Sequence, residues 1–519
     1  MATSFLIELP KPVAIVVPDT EGEVDGENAL PVLTKLASEL SAYISSSIAQ
    51  FERLAVFREL SFQVAYGLPG ANPEVANYDR PSDRPGRFGL SASVVGIAAR
   101  FVLERAVIVG RFGDREPAAT DIAALVLTSA AQMQVDAGRE LAELSLGGKE
   151  PRMGRISIRK AGTSVLMAYH AEQFDFVGYQ RMRESRLVDS DPLDNASLQA
   201  FAGEIPDEFR EISGGMVSDL GFGLDDLLDV ISLGYRINVQ QESQFVALDI
   251  EYFRSFGAVS PRTAAALDYL TFSSEHLTVG DLRPSSTRHQ KRRIVTHPFI
   301  VHDDILVLNR ELLFEALNRW WRYLVNGDWP VPARTREGWP TLNAAITARR
   351  NARGTEAFEP FVEAELDRIG LPWGFTSGAN RKIGEALITG EIDALVVDAK
   401  SGVLWVVEAK DITSDQNLRS LQTELRNMTN HYLPQVTRSA SQIQSDPRAV
   451  VKHALQGWAQ RGKVDADQLR DAQLETQQVE VWKVRPLIVV RDRSAAEFLV
   501  DSRLTISTVA DLRSNLLDK

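Results

Sequence analysis

The sequence predicts a multidomain α + α/β protein: a helical N-terminal region (1–150), a mixed α/β middle region (151–330) and a C-terminal α/β domain (331–519) with a central mixed sheet. Three observations lead there. A chain of 519 residues exceeds what one hydrophobic core usually organises. Apolar residues recur at helical spacing early in the chain, and short strand-like runs flanked by helical ones return later. Hydrophobic residues at 44% and charged residues at 24% are ordinary for a globular protein and argue against wholesale disorder.

Along the N-terminal region, LPVLTKLASELSAYISSSIAQFERLAVF, LSASVVGIAARFVLERAVIV and TDIAALVLTSAAQMQVDAGRELAEL each carry a helical apolar pattern. A Pro/Gly-rich loop, GLPGANPEVANYDRPSDRPGRFG, separates the first two, and LGGKEPR ends the region. In the middle region, RISIRKAGTSVLMAY and SQFVALDIEYF read as strand-forming and LDDLLDVISLG as helical. The stretch RRIVTHPFIVHDDILVLNRELLFEALNRWWRYLV reads as strand, turn, strand and aromatic-rich helix. His297, His302, Asp303 and Asp304 gather there, but Asp-Asp is a common turn dipeptide and no His pair falls at i, i+4, so an ordinary turn is the favoured reading. NGDWPVPARTREGWP, with Pro330, Pro332 and Pro340, reads as the domain boundary. Beyond it come TLNAAITARRNARGTEAFEPFVEAELDRIG as helix, two strands, a long helical stretch, the strand VEVWKVRPLIVV, and a last helix capped by Thr508 and Asp511.

Charge and composition narrow the function classes. A net charge of −13 repels polyphosphate overall, so nucleic acid would need a local basic track. Two candidates are Arg288, Lys291, Arg292 and Arg293 in RHQKRR, and the spread Arg334, Arg336, Arg349, Arg350 and Arg353; a solvated charged face is the competing reading of each. The absence of cysteine excludes disulfides and thiolate metal sites. No uncharged apolar run reaches membrane-spanning length, and the opening residues lack a basic leader pattern, so a cytoplasmic protein without a membrane partner is expected. Phosphate-binding loop, dinucleotide fingerprint and nucleophile-elbow motifs are all missing.

The informative stretch is GEIDALVVDAKSGVLWVVEAKDI, residues 390–412. Two apolar strands flank a turn marked by Gly402, yet Asp393 interrupts the first, and Glu408 and Lys410 the second. With the turn centred between Lys400 and Ser401, Asp393 falls directly across from Glu408. Like charges so placed destabilise a sheet unless a cation lies between them. Glu408 and Lys410 are two apart and share that face with Leu395, Val397, Leu404 and Val406, which argues against a plain solvent-facing hairpin. Hard oxygens of this kind suit Mg²⁺, which would activate water for phosphodiester hydrolysis, while Lys410 orients that water or offsets charge developing on phosphorus.

The G-E-I-D strand, the turn and V-V-E-A-K resemble the core of the restriction-endonuclease-like PD-(D/E)XK nuclease superfamily, with Asp393 matching its Asp and Glu408-Ala409-Lys410 its E-x-K. GTEAFEPFVEAELDRIG resembles the first core helix of that family. The resemblance covers about residues 345–519, and Ile392 stands where the name-giving Pro would be. It implies a restriction-endonuclease-like α/β fold and Mg²⁺ or Mn²⁺ held by Asp393, Glu408 and the Ala409 carbonyl. It also implies Glu359 as the helix-borne acid, an auxiliary Gln435, and DNA as the usual substrate. On the helical wheel Glu359 and Glu365 flank the apolar stripe almost equally, and the choice of Glu359 comes from the family pattern. Arg349, Arg350 and Arg353, just before the core helix, are expected to grip nucleic-acid backbone. Many relatives act in bacterial defence, restriction or repair, so homo-oligomers or partner proteins of a defence system are compatible. The alternative is a non-catalytic scaffold that binds nucleic acid or a partner and retains the nuclease fold.

Overall fold

The computed structural model describes residues 2–10, 13, 24–66, 92–146, 154–172, 174–175, 206–257, 260–273, 293–325, 327–330, 337–352, 358–376, 381–412, 418–462, 464–491, 493–499 and 505–517. These form two compact units: Met1–Gly147 with Gly154–His170 and Gln180–Arg350, and Gly148–Met153 with Ala171–Tyr179 and Asn351–Lys519. The long Pro/Gly-rich loop of the N-terminal region lies outside the described residues. Among the described residues no helix is long and apolar enough to cross a membrane.

In the first unit, β1 (Ala2–Glu8) and β2 (Val24–Asp25) are followed by α1 (Ala29–Ile48), α2 (Arg53–Tyr66), α3 (Ala92–Val109) and α4 (Ala119–Leu146). Strands β3 (Gly154–Ala161) and β4 (Ser164–Ala171) then complete a sheet of order β1-β4-β3-β2. Next come α5 (Arg210–Leu220), α6 (Leu224–Gln240), β5 (Phe245–Asp249), α7 (Ile250–Gly257), α8 (Pro261–Leu270), β6 (Thr271–Phe272), β7 (Phe299–His302), β8 (Ile305–Asn309), α9 (Arg310–Val325) and α10 (Pro340–Asn351). The second sheet runs β5-β8-β7-β6.

The unit boundaries differ from those read in the sequence. The helices of residues 29–146 do not close a core of their own: Val56, Leu60, Val102 and Leu125 share one with Phe272, Ile294, Ile300, Val307 and Leu312. The Pro-rich stretch after α9 is likewise not where the units part. Trp329 is buried with Trp320, and α10 adds Leu342 and Ile346 to the same core. The Asp219 carboxylate accepts from the Leu342 amide at the start of α10, supplying a partner that helix termini lack. α10 therefore belongs with the first unit, and the division falls after Arg350.

The second unit comprises α11 (Glu359–Ile369), β9 (Trp373–Thr376), β10 (Arg381–Ile383), β11 (Ala386–Ile388), β12 (Ile392–Asp398), β13 (Val403–Lys410), α12 (Leu418–Asn427), α13 (Leu433–Ile443), α14 (Pro447–Gln460), α15 (Ala466–Gln478), β14 (Lys483–Val490), β15 (Thr505–Thr508) and α16 (Leu512–Leu517). Its five-stranded sheet has the order β15-β14-β13-β12-β9 and is mixed: β12 is antiparallel to both neighbours, whereas β13, β14 and β15 run parallel. A parallel pair cannot be joined by a tight turn, and the four helices after β13 make the crossover to β14.

Alternation along β12 and β13 sorts their side chains into two faces. Ala394, Val396, Trp405 and Val407 pack with Phe358, Val362 and Leu366 of α11 and with Leu512 and Leu516 of α16. Leu395, Val397, Leu404 and Val406 lie on the opposite face and are also buried. On that face of β9, Gly374 lets the strand approach α14 closely, since a Cβ there would meet the Ala454 carbonyl at 2.8 Å. The turn between β12 and β13 uses Gly402 at φ +66°, a conformation that favours glycine. Asp398 fastens it by accepting from the amides of Lys400 and Ser401. The predicted cap of the last helix forms as well, with the Asp511 amide donating to Thr508 Oγ1.

Leu342→Ala should cost ~2–5 kcal/mol through the cavity it leaves. Hydrogen exchange should show the lost protection in α9 and α10 while β12 and β13 keep theirs. Loss in β12 and β13 instead would place α10 with the second unit.

Candidate active site

The β12–β13 register runs from Asp398↔Val403 to Ala394↔Val407. One step further places Asp393 opposite Glu408 on the face bearing Leu395 and Val406, the arrangement expected from the sequence. The ladder opens at this end. Val397 donates to the Pro372 carbonyl on the β9 side, so the alternate residues of β12 address β13, and a regular ladder would join Ile392 with Ala409. Instead the Ile392 amide donates to Thr376 Oγ1 at 3.1 Å, and the Ala409 amide donates to Asp393 Oδ2 at 2.7 Å. The pairing with β9 shifts register between Ile392 and Leu395, as an irregularity of this kind requires. Asp393 thus replaces a backbone acceptor with its own side chain, and the Ala409 carbonyl is denied the amide a continuing ladder would offer.

Glu408 is 4% exposed. Its Oε1 receives Lys410 Nζ at 2.5 Å and Gln435 Nε2 at 2.8 Å. Gln435 therefore reaches Glu408. It is carried by a helix with a local defect. Pro434 has no N–H to donate to Asn430, and the preceding turn, Met428–Tyr432, widens to π geometry in which the Leu433 amide bonds to Met428. This turn also brings the Tyr432 ring to 5.4 Å from Lys410 Nζ. Tyr432 was not singled out in the sequence, although a Pro inside a helical run signals such a distortion. His431, its neighbour, points to solvent.

Glu359 opens α11 at the same end of the sheet, where the positive pole of the helix favours an acid. The structure resolves what the helical wheel left open. Burial, and next the charge of Asp393, push the Glu359 carboxyl up, so it belongs to the cluster electrostatically. Glu365 instead forks with Arg368, which holds its carboxyl below the usual range. Asp411, beside Lys410, is taken by Arg491 at 2.8 Å.

The electrostatics of the cluster are those of crowded acids. Burial raises the Asp393 carboxyl, against the opposing pull of the Ala409 amide and Lys410. Burial and then the Asp393 charge raise that of Glu408. Burial alone would lower the Lys410 ammonium, but Glu408 and Asp393 outweigh it and hold the ammonium above its ordinary value. Among the described residues no three Asp, Glu or His side chains converge into a finished metal cage. The donor chemistry nonetheless suits a hard divalent cation that takes one or two carboxylates and keeps several waters. Asp393, Glu408 and the Ala409 carbonyl would hold it.

The basic residues assigned to nucleic-acid backbone are placed otherwise. Arg349 stacks over Phe209 at 5.2 Å, and Arg350 donates to the Gly327 carbonyl and to Asp328; both lie in the first unit. Arg293 is buried, with Nε 2.7 Å from Glu104 Oε2, so it is no part of a surface patch. Arg288, Lys291, Arg292, Arg334, Arg336 and Arg353 lie outside the described residues. In the His/Asp turn, Arg53 bonds His302 Nδ1 and pairs with Asp303, and Asp303 adopts the left-handed conformation of a turn residue at φ +53°. No family model, no curated protein and no solved structure matches the chain.

Glu359, Asp393 and Glu408 keep their protons to a higher pH in the folded chain than in the unfolded one. The associated stability is complete below the unfolded pKa, about 4, and is lost as pH rises through the folded values. Without divalent metal, Asp393→Asn and Glu408→Gln should therefore melt a few degrees above wild type at pH 7, and the advantage should shrink towards pH 4. Thermal melts in EDTA across that range check this; equal melting at pH 7 would show that the acids are not in conflict.

Proposed function

We propose that the second unit is a Mg²⁺-dependent nuclease that hydrolyses phosphodiester bonds, with DNA as the expected substrate. The observation that supports this reading is the gathering of Asp393 and Glu408 at one buried β-ribbon end, where the charge of Asp393 raises the Glu408 carboxyl, Lys410 pairs with Glu408, and Glu359 interacts electrostatically with both acids. Recruitment as effector of a bacterial defence or repair system is consistent with such an activity.

A divalent ion bound there supplies charge neutralisation at phosphate oxygen and an acidified water. The chain does the rest. Asp393, fixed by the Ala409 amide, presents its second oxygen to the site. Gln435 holds the Glu408 carboxylate in place when the Lys410 ammonium leaves it for substrate. Lys410 then orients the attacking water and offsets the negative charge that accumulates on the phosphoryl oxygens. Glu359, held high by burial and by the charge of Asp393, is suited to accept the proton of that water. A water oxygen forms the new bond to phosphorus, the bond from phosphorus to the leaving sugar oxygen breaks, and that oxygen takes up a proton.

Cleavage of linear, supercoiled and single-stranded DNA and of RNA, with Mg²⁺ or with EDTA, tests the reading. Activity should require the metal. Asp393→Ala and Lys410→Met should each lower the rate by about 10²-fold or more, as loss of a preorganised charge does. Gln435→Ala should cost less, because it supports Glu408 and does not carry charge. Binding with no metal-dependent cutting by wild type would favour the scaffold reading.

A further inference from the structure

One edge of the five-stranded sheet is β9, which pairs only with β12 among the described strands. Thr376 of β9 lies in register with Ile392, next to Asp393, so this edge borders the acid cluster. Trp373 and Phe375 are two apart and face the same way. Trp373 is buried in the core, but Phe375 emerges at the rim 46% exposed. Its carbonyl is met by His453 Nε2 of α14 at 3.4 Å, so the backbone edge is covered while the ring stays open. Burial, and then the nearby Arg381 charge, hold the His453 imidazole below its usual range, so it adds no cation of its own near neutral pH.

The cations come from Arg381 and Lys382 on β10 and from Lys452 beside His453, all exposed. Lys382 has only a solvent-exposed contact with Glu385, and neither Arg381 nor Lys452 has a carboxylate partner among the described residues. The β10–β11 ribbon is anchored to the helices behind it: the Glu385 amide donates to Asp446, and Gln442 bonds the Thr389 amide and hydroxyl. A firmly held ribbon thus presents cations near the edge strand whose half-exposed Phe375 is one residue from Thr376, the partner of Ile392 at the end of the sheet that carries the acids. In a chain of net charge −13 this grouping contrasts with the surface as a whole.

We propose that this rim is a seat for unpaired nucleic acid, with one base stacked on Phe375 and the backbone phosphates held by Arg381, Lys382 and Lys452. A ring at a strand edge can be covered by a base only when that base is out of a duplex, and stacking on an aromatic face is tolerant of base identity. The seat rests on the nuclease reading for its purpose, which is to deliver a single strand to the acids, but not for its measurement.

Binding is read by fluorescence anisotropy in EDTA, so that cutting plays no part, with labelled single-stranded DNA, single-stranded RNA and duplex DNA of one sequence. Wild type should prefer either single strand to the duplex. Phe375→Ser should weaken single-strand binding by about tenfold and Phe375→Trp should restore it, matching the usual effect of one stacking contact. Arg381→Gln, at an exposed position, should weaken binding and reduce the salt dependence by about 0.7 in log–log slope, the share of one phosphate contact on a single strand. Thermal melting confirms that each variant is folded. Equal affinity of wild type and Phe375→Ser, a preference for duplex, or no binding by wild type would overturn the seat. Single-strand binding that is lost in Phe375→Ser, in a wild type that never cuts with Mg²⁺, would leave the seat standing and remove the nuclease reading instead.

Discussion

The second unit is organised around an electrostatic conflict: two carboxylates face each other at the end of a buried β-ribbon, with a third close by on a helix. Burial penalises their ionisation, and the charge of Asp393 raises both Glu408 and Glu359 further. Among the described residues the chain offers in compensation one ammonium, one amide N–H and one side-chain amide. The surroundings exist to make that arrangement hold. Packing on both faces fixes the ribbon, a bulge opposite β9 frees its end from regular pairing, and a widened helical turn brings Tyr432 and Gln435 over Lys410 and Glu408. A site that strains its own scaffold in this way resembles functional sites generally, where charge is placed for chemistry at the expense of stability.

Much of this was legible because it follows from strand parity. The turn position at Gly402 determines the register, the register sets Asp393 against Glu408, and alternation places Lys410 on the same face. Each step is local and needs no knowledge of the rest of the chain. The choice between Glu359 and Glu365 was not legible in the same way. Both lie beside the apolar stripe of α11, and what separates them is tertiary: one sits by Asp393, the other has Arg368 one turn away. Gln435 came from resemblance, whereas Tyr432 could have been suspected from Pro434 alone.

The surroundings of the basic residues and the division into units were not legible for a related reason. Clustered arginines suggest a basic track or a solvated face, and clustered prolines suggest a boundary. Arg293 is buried against Glu104, Arg350 ties α10 to the segment after α9, and Trp329 fills the core beside a proline that suggested a linker. Composition alone does not distinguish a cation in solvent from one satisfied by a buried acid or a carbonyl. The exposed cations near β9 are on β10 and α14, short elements with little periodic signal.

The parallel pairing of β13 with β14 has a consequence for biosynthesis. All the acids of the cluster, and Gln435, leave the ribosome before Lys483 does, yet the outer flank of β13 is unpaired until β14 arrives some seventy residues after Lys410. Until then Glu408 lies on a strand whose far edge is open to water. A nascent or prematurely ended chain consequently holds the residues of the acid cluster without the completed sheet that aligns them.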